Sequence, residues 1–127
     1  MLKFISLLSI LFLFSCKGNT DYIRYVDNQS GETVRVISAF PGEDDFRLTM
    51  IPNQETRLFT STEKNGSDQT IDPSNGIEYF IVLNEKGDTC KKDFKQVGNW
   101  RSEVKLQSKY LKEYEQDYTI TIYKTDF

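Results

Sequence analysis

The sequence predicts an all-β domain: an immunoglobulin-like or similar Greek-key β-sandwich of about seven or eight strands, with a small β-barrel as the alternative closure. Three observations carry this expectation. Short segments rich in β-branched and aromatic residues recur, and several alternate apolar with polar at period two. Clusters of Gly, Pro, Asn and Asp separate them at short intervals. No long segment shows the 3.6-residue apolar period of a helix, and no internal repeat is present.

Each strand has its own justification. Residues 22–27 (Tyr-Ile-Arg-Tyr-Val-Asp) form the first, ending in the turn Asn28-Gln29-Ser30-Gly31. Residues 33–39 alternate and are rich in Val and Ile, so the short turn predicts a hairpin with the first strand. Residues 41–45 (Pro-Gly-Glu-Asp-Asp) read as an exposed loop, and 46–50 as the next strand, stopped by Pro52-Asn53. Residues 56–60 follow, and then a polar, turn-rich stretch from 63 to 76 that contains Asn65-Gly66 and Asp72-Pro73. Residues 77–83 (Ile-Glu-Tyr-Phe-Ile-Val-Leu) are the most apolar run and are expected at the centre of a sheet. Gly87 supplies a permissive backbone for a tight turn into a further strand at 89–94. Residues 100–114 read two ways: Trp100, Ser102, Val104 and Leu106 alternate as a strand would, while Trp100, Val104, Leu111 and Tyr114 would line a helix loosely; the expectation is a strand at 100–107, then a short turn or single helical turn at 108–112. Residues 114–123 close the domain, with Tyr118, Ile120 and Ile122 on one face and Thr119, Thr121 and Tyr123 on the other.

The N-terminal residues stand apart from this pattern. After Lys3, the eleven residues Phe4 to Phe14 hold only two serines among apolar side chains. A spanning helix needs about 20 apolar residues, so this run suits the core of an export signal instead. It ends at Leu13-Phe14-Ser15-Cys16, followed at once by polar Lys17-Gly18-Asn19-Thr20-Asp21. Leu13, Ser15 and Cys16 resemble the lipobox of bacterial lipoproteins. Phe14 is bulkier than that family's usual residue, as in the loose lipoboxes of the Bacteroidota. The resemblance implies cleavage before Cys16 and acylation of its sulfur, giving a signal peptide at 1–15, a tether at 16–21 and one sandwich domain at 22–127. Lys17 in place of Asp after the cysteine implies the outer membrane, and the lack of an acidic run there implies the periplasmic side. With Cys16 acylated, Cys90 has no partner within the chain and is expected to be a buried apolar side chain.

Composition narrows the chemistry. The chain has no histidine, which removes Ser-His-Asp, Cys-His and ordinary zinc-hydrolase sites. Cys90 beside Lys91 and Lys92 lacks a general base. Glu43, Asp44 and Asp45, with Asp68 and Asp72 further on, lack the ligand spacing of a calcium loop, so no metal or cofactor is expected. Without Lys3 the chain carries 15 basic and 19 acidic residues, a net −4, which argues against nucleic acid as partner. Charge is uneven: residues 86–112 hold eight basic and three acidic side chains, with Phe94, Trp100 and Tyr110 interleaved. Lys91, Lys92, Lys95, Arg101 and Lys105 are the candidates for a patch facing anionic lipid or glycan. The competing explanation is edge protection by solvated lysines.

The expectation for function is therefore a non-enzymatic, membrane-anchored binding module for an envelope protein or glycan. A glycan- or anionic-lipid-binding module using 86–112 is the alternative, and an envelope enzyme built on two carboxylates is a third reading.

Overall fold

The computed structural model describes residues 18–64, 70–108 and 110–127. Its strands are β1 (Thr20–Gln29), β2 (Val34–Phe40), β3 (Glu43–Met50), β4 (Glu55–Glu63), β5 (Tyr79–Leu83), β6 (Trp100–Ser108) and β7 (Glu113–Tyr123). They form two sheets, a four-stranded β4-β1-β7-β6 and a three-stranded β3-β2-β5. The fold is an all-β sandwich, as the alternation predicts. Period-two burial is clear on β3, where Phe46, Leu48 and Met50 are covered and Arg47 and Thr49 exposed, while on β7 Tyr118, Ile120 and Ile122 enter the core.

One pairing organises the molecule. β1 and β7 lie side by side and parallel, in register from Thr20 opposite Tyr114 to Gln29 opposite Tyr123. Every other strand pair is antiparallel. The start of β1 and the start of β7 therefore share one end of the sandwich, called the lower end below. Gln29 and Tyr123 lie at the upper end.

The core joins Val26, Trp100, Ile120 and Ile122 of the larger sheet to Val34, Val36, Met50 and Val82 of the smaller one. Each such side chain contributes roughly 1.5–3 kcal/mol when fully buried. Toward the lower end of β2, Phe40 stacks on Phe59 at a centroid distance of 5.0 Å and tilts against Phe46 at the same distance.

The structure corrects four local expectations. Strands β1 and β2 do not form a hairpin; they belong to different sheets. The buried Asn28 side chain sits at the crossing. Its Nδ2 donates to the carbonyls of Glu32, Met50 and Ile51, and its Oδ1 accepts from the Ser30 N–H and hydroxyl. That network ties the end of β1 to the end of β3 and to the turn that leads into β2. β5 is an edge strand and not a central one, and its outward Ile81 is 38 % exposed. The 89–94 segment makes only a bridge between Thr89 and Leu83 and one further bond, Cys90 N–H to Val82 O, before leaving the sheet. The expected turn before it does form, with Gly87 at φ 82°. Finally, Glu43, Asp44 and Asp45 are not loop residues but the start of β3. Within the 100–114 stretch that read two ways, Trp100–Ser108 is strand β6 and Glu113 already opens β7.

Candidate functional site

Of the residues singled out by sequence, Cys16 lies outside the described residues, but the structure fixes the place toward which it leads. At the lower end the Asn19 carbonyl accepts the Tyr114 N–H at 3.0 Å. Gly18 lies against the turn between β6 and β7: a Cβ on it would stand 2.2 Å from the carbonyl oxygens of both Leu111 and Lys112. Only glycine allows so close an approach. The turn itself is tightly wound. Lys112 sits at φ 51°, a left-handed conformation that costs a β-carbon-bearing residue about 1–2 kcal/mol. The Leu111 N–H donates to the Ser108 hydroxyl. Tyr110, at the tip, is 94 % exposed, and Leu111 is 56 % exposed.

The cationic stretch is not one surface. Lys92 is half-buried at the upper end, where its Nζ donates to the Thr121 carbonyl, pairs with Asp126 at 3.1 Å and lies 4.9 Å from the Tyr123 ring centre. It ties the 89–94 segment to the last residues of the chain. The Lys91 N–H adds a bond to the Asp126 carbonyl at 2.6 Å. Lys105 is on the outer face of the larger sheet, in an ion pair with Asp117 at 2.9 Å. That carboxylate raises the Lys105 pKa, first through the hydrogen bond and then through its charge. Lys91, Lys95 and Arg101 are exposed and make no ion pair among the described residues. Arg101 stands opposite Thr119, on the same outward register as Lys105.

Cys90 is half-buried, packs against the core and lines a shallow depression with Asp88, Thr89, Lys91 and Phe127. Burial pushes its thiol pKa up, the opposite of what a nucleophile needs. The acidic residues do not converge. Asp45 pairs with Arg47 at 3.2 Å, Asp72 accepts from Ser74 within its own turn, and Asp68 lies outside the described residues. Among the described residues no group of three or more acidic or sulfur ligands is placed to hold a metal.

Two features had not been singled out by sequence. Arg24 is only 2 % exposed, inside the sandwich. Its Nε donates to the Pro73 carbonyl at 3.1 Å and its Nη1 to the Tyr22 carbonyl and the Ser61 hydroxyl, at 3.0 and 2.6 Å. The guanidinium plane lies over the Phe59 ring at 4.3 Å. Burial lowers its pKa, while Tyr118 and Asp72 work to raise it. Beside it the Tyr118 hydroxyl donates to Gln116 Oε1 and accepts the Ile71 N–H. The inward register of Tyr22, Arg24 and Val26 was the available signal. The second feature is Asp117, 7 % exposed, whose Oδ1 is buried without a hydrogen-bond partner among the described residues. Glu115, two residues away on the same face, has its pKa raised by desolvation first and then by the neighbouring Asp117 carboxylate.

No protein-family model and no curated protein sequence matches this chain.

Proposed function

We propose that the chain is a bacterial lipoprotein, anchored by acyl chains on Cys16, whose sandwich is a non-enzymatic binding module for another envelope component. The observation that carries the reading is the apolar run from Phe4 to Phe14 ending at Leu13-Phe14-Ser15-Cys16. One acyl chain holds a protein only marginally, whereas two or three make attachment effectively permanent. The short distance from Cys16 to the first strand supports the reading further. β1 begins at Thr20, so few residues separate the anchor from the fold and the domain works within reach of the membrane.

Metabolic labelling with a radioactive fatty acid in a Gram-negative host tests the anchor. Label is expected on the wild-type chain and lost in Cys16→Ala, which moves to the soluble fraction. Unlabelled wild type, or label surviving in Cys16→Ala, sinks the proposal. Proteolysis of intact cells tests the placement on the periplasmic side of the outer membrane; protection is the expected result.

A second reading, binding of anionic lipid or glycan through the basic stretch, draws on the exposure of Lys91, Lys95 and Arg101. Charge reversal at these three positions is then expected to weaken retention on vesicles containing phosphatidylglycerol or on an acidic polysaccharide column. Lys92 and Lys105 are poor choices for that experiment, because each already holds a structural ion pair.

A further inference from the structure

The described residues expose large apolar side chains at both ends of the sandwich. Ile51 and Tyr123 are exposed toward the upper end, beyond Met50 and at the close of β7. At the lower end Tyr110 and Leu111 are exposed together on one tight turn, with exposed Lys112 next to them. What distinguishes the lower end is its position relative to Cys16. The parallel β1–β7 pairing brings the entry of the chain to the foot of β7. Gly18 is seated directly on the carbonyls of Leu111 and Lys112. Only Lys17 lies between Gly18 and Cys16, and the two Cα–Cα steps reach at most about 7 Å when fully extended. Wherever Cys16 is held, the β6–β7 turn is held beside it.

We infer that this turn rests in the headgroup layer of the membrane that anchors Cys16, with Tyr110 and Leu111 entering the lipid interface. The inference builds on the lipid anchor proposed above. Tyrosine suits such a site, because its ring is apolar and its hydroxyl stays among the headgroups. Leu111 adds apolar surface on the same turn. Lys112 lies within reach of lipid phosphates, but half-buried Glu113 follows it, so the apolar tip carries the contact more than charge does. The contact sets the orientation of the sandwich. β1 rises from the membrane, its ten residues at about 3.3 Å each place Gln29 about 30 Å further out, and the upper end faces away from the lipid.

The test uses the acylated full-length protein, purified from membranes and reconstituted into phosphatidylcholine vesicles with or without bromine near the headgroup end of the acyl chains. Tyr110→Trp places a reporter at the tip; a side chain so exposed tolerates the change. Gln29→Trp places one at the far end of β1. Buried Trp100 is the constant background, measured in the parent protein. Brominated lipid is expected to quench the tip reporter about twofold, as for an indole at headgroup depth, and to leave the Gln29 reporter unchanged. Protein that sediments with the vesicles while both reporters stay unquenched overturns this inference alone. If that protein also elutes as a dimer in detergent, the turn serves a second copy instead. Protein that fails to sediment overturns the anchor reading, and this inference falls with it.

Discussion

The interior of the sandwich has two halves, and they are built from different chemistry. Toward the upper end, Val26, Trp100, Ile120 and Ile122 face Val34, Val36, Met50 and Val82, with sheet packed on sheet. Toward the lower end, the inward positions of the larger sheet hold Arg24, Gln116 and Tyr118, and the loop segment 70–78 closes over them. The first half is held by burial, which is non-directional and depends on filled volume. The second shares that burial through Tyr22, Phe40, Phe59 and Ile77, and adds hydrogen bonds, each aimed at one backbone or side-chain atom of a loop or strand. The contrast teaches that one apolar core runs through both halves, while the order of the loop rests on a polar group added to it at one end.

The largest effect is therefore expected from the apolar half. Ile120 is fully buried on the central strand β7. Ile120→Ala should cost about 2–5 kcal/mol, the transfer term plus the cavity left behind. In urea this appears as a lower midpoint with an unchanged slope. A loss well under 1 kcal/mol would show that the two sheets collapse onto the gap, and the description of this half as close-packed would be wrong.

The polar half should respond less and more locally. Arg24→Met fills similar volume but strands the carbonyls of Tyr22 and Pro73 and the Ser61 hydroxyl, at a cost of about 1–3 kcal/mol. The sharper readout is position. Amide exchange at Ile71 and proteolysis within 70–78 should rise under native conditions, while amides of β2 and of the upper part of β7 keep their protection. Arg24→Lys should not rescue the loop, because an ammonium cannot reproduce a fork aimed at separate acceptors. Uniform loss of protection across both sheets would erase the distinction between the halves.

The two halves were not equally legible in the sequence. The apolar half announces itself through alternation, which sets Tyr118, Ile120 and Ile122 on one face, and that face is the one the core takes up. The polar half follows the same alternation, but an arginine in register with Tyr22 and Val26 reads as a surface residue until the loop that covers it is known. The supposed hairpin between β1 and β2 failed for a related reason. A short connection says that two strand ends are close, not that they share a sheet, and here the Asn28 network braces a connection that crosses between sheets. β5 looked central because its residues are apolar on both faces, yet one face remains half-open. The cationic stretch showed its charges but not their partners: Asp126 and Asp117 reach Lys92 and Lys105 only in the fold. The seat of Gly18 had no signal, since it exists only because β1 and β7 are parallel neighbours.

The smallest expected effect lies outside both halves, on the outer face of the larger sheet, and it separates packing from protonation. Asp117 is buried there with one oxygen paired to Lys105 and the other without a donor among the described residues. Glu103 and Lys105 flank it from β6, Glu115 from its own strand, and Tyr25 on β1 and Arg57 on β4 lie further along the same face. Desolvation and the Asp117 carboxylate raise the Glu115 pKa, while Gln107 and Lys105 oppose them. Protonated Glu115 can donate to Asp117; ionised, it can only repel it. A folded-state pKa above the unfolded value of about 4.3 means that the folded protein binds more protons in the window above it. The contribution of Glu115 is complete below that value and is lost as pH rises through the folded pKa. Glu115→Gln keeps a donor and removes the charge, so its stability relative to wild type should improve steadily as pH rises through this window. Glu115 is half-buried and still reached by solvent, so screening keeps the difference small. Paired urea midpoints from about pH 4 to pH 7 measure it. A difference that does not vary with pH would mean that the two carboxyls share no proton, and Asp117 would then owe its place to Lys105 alone.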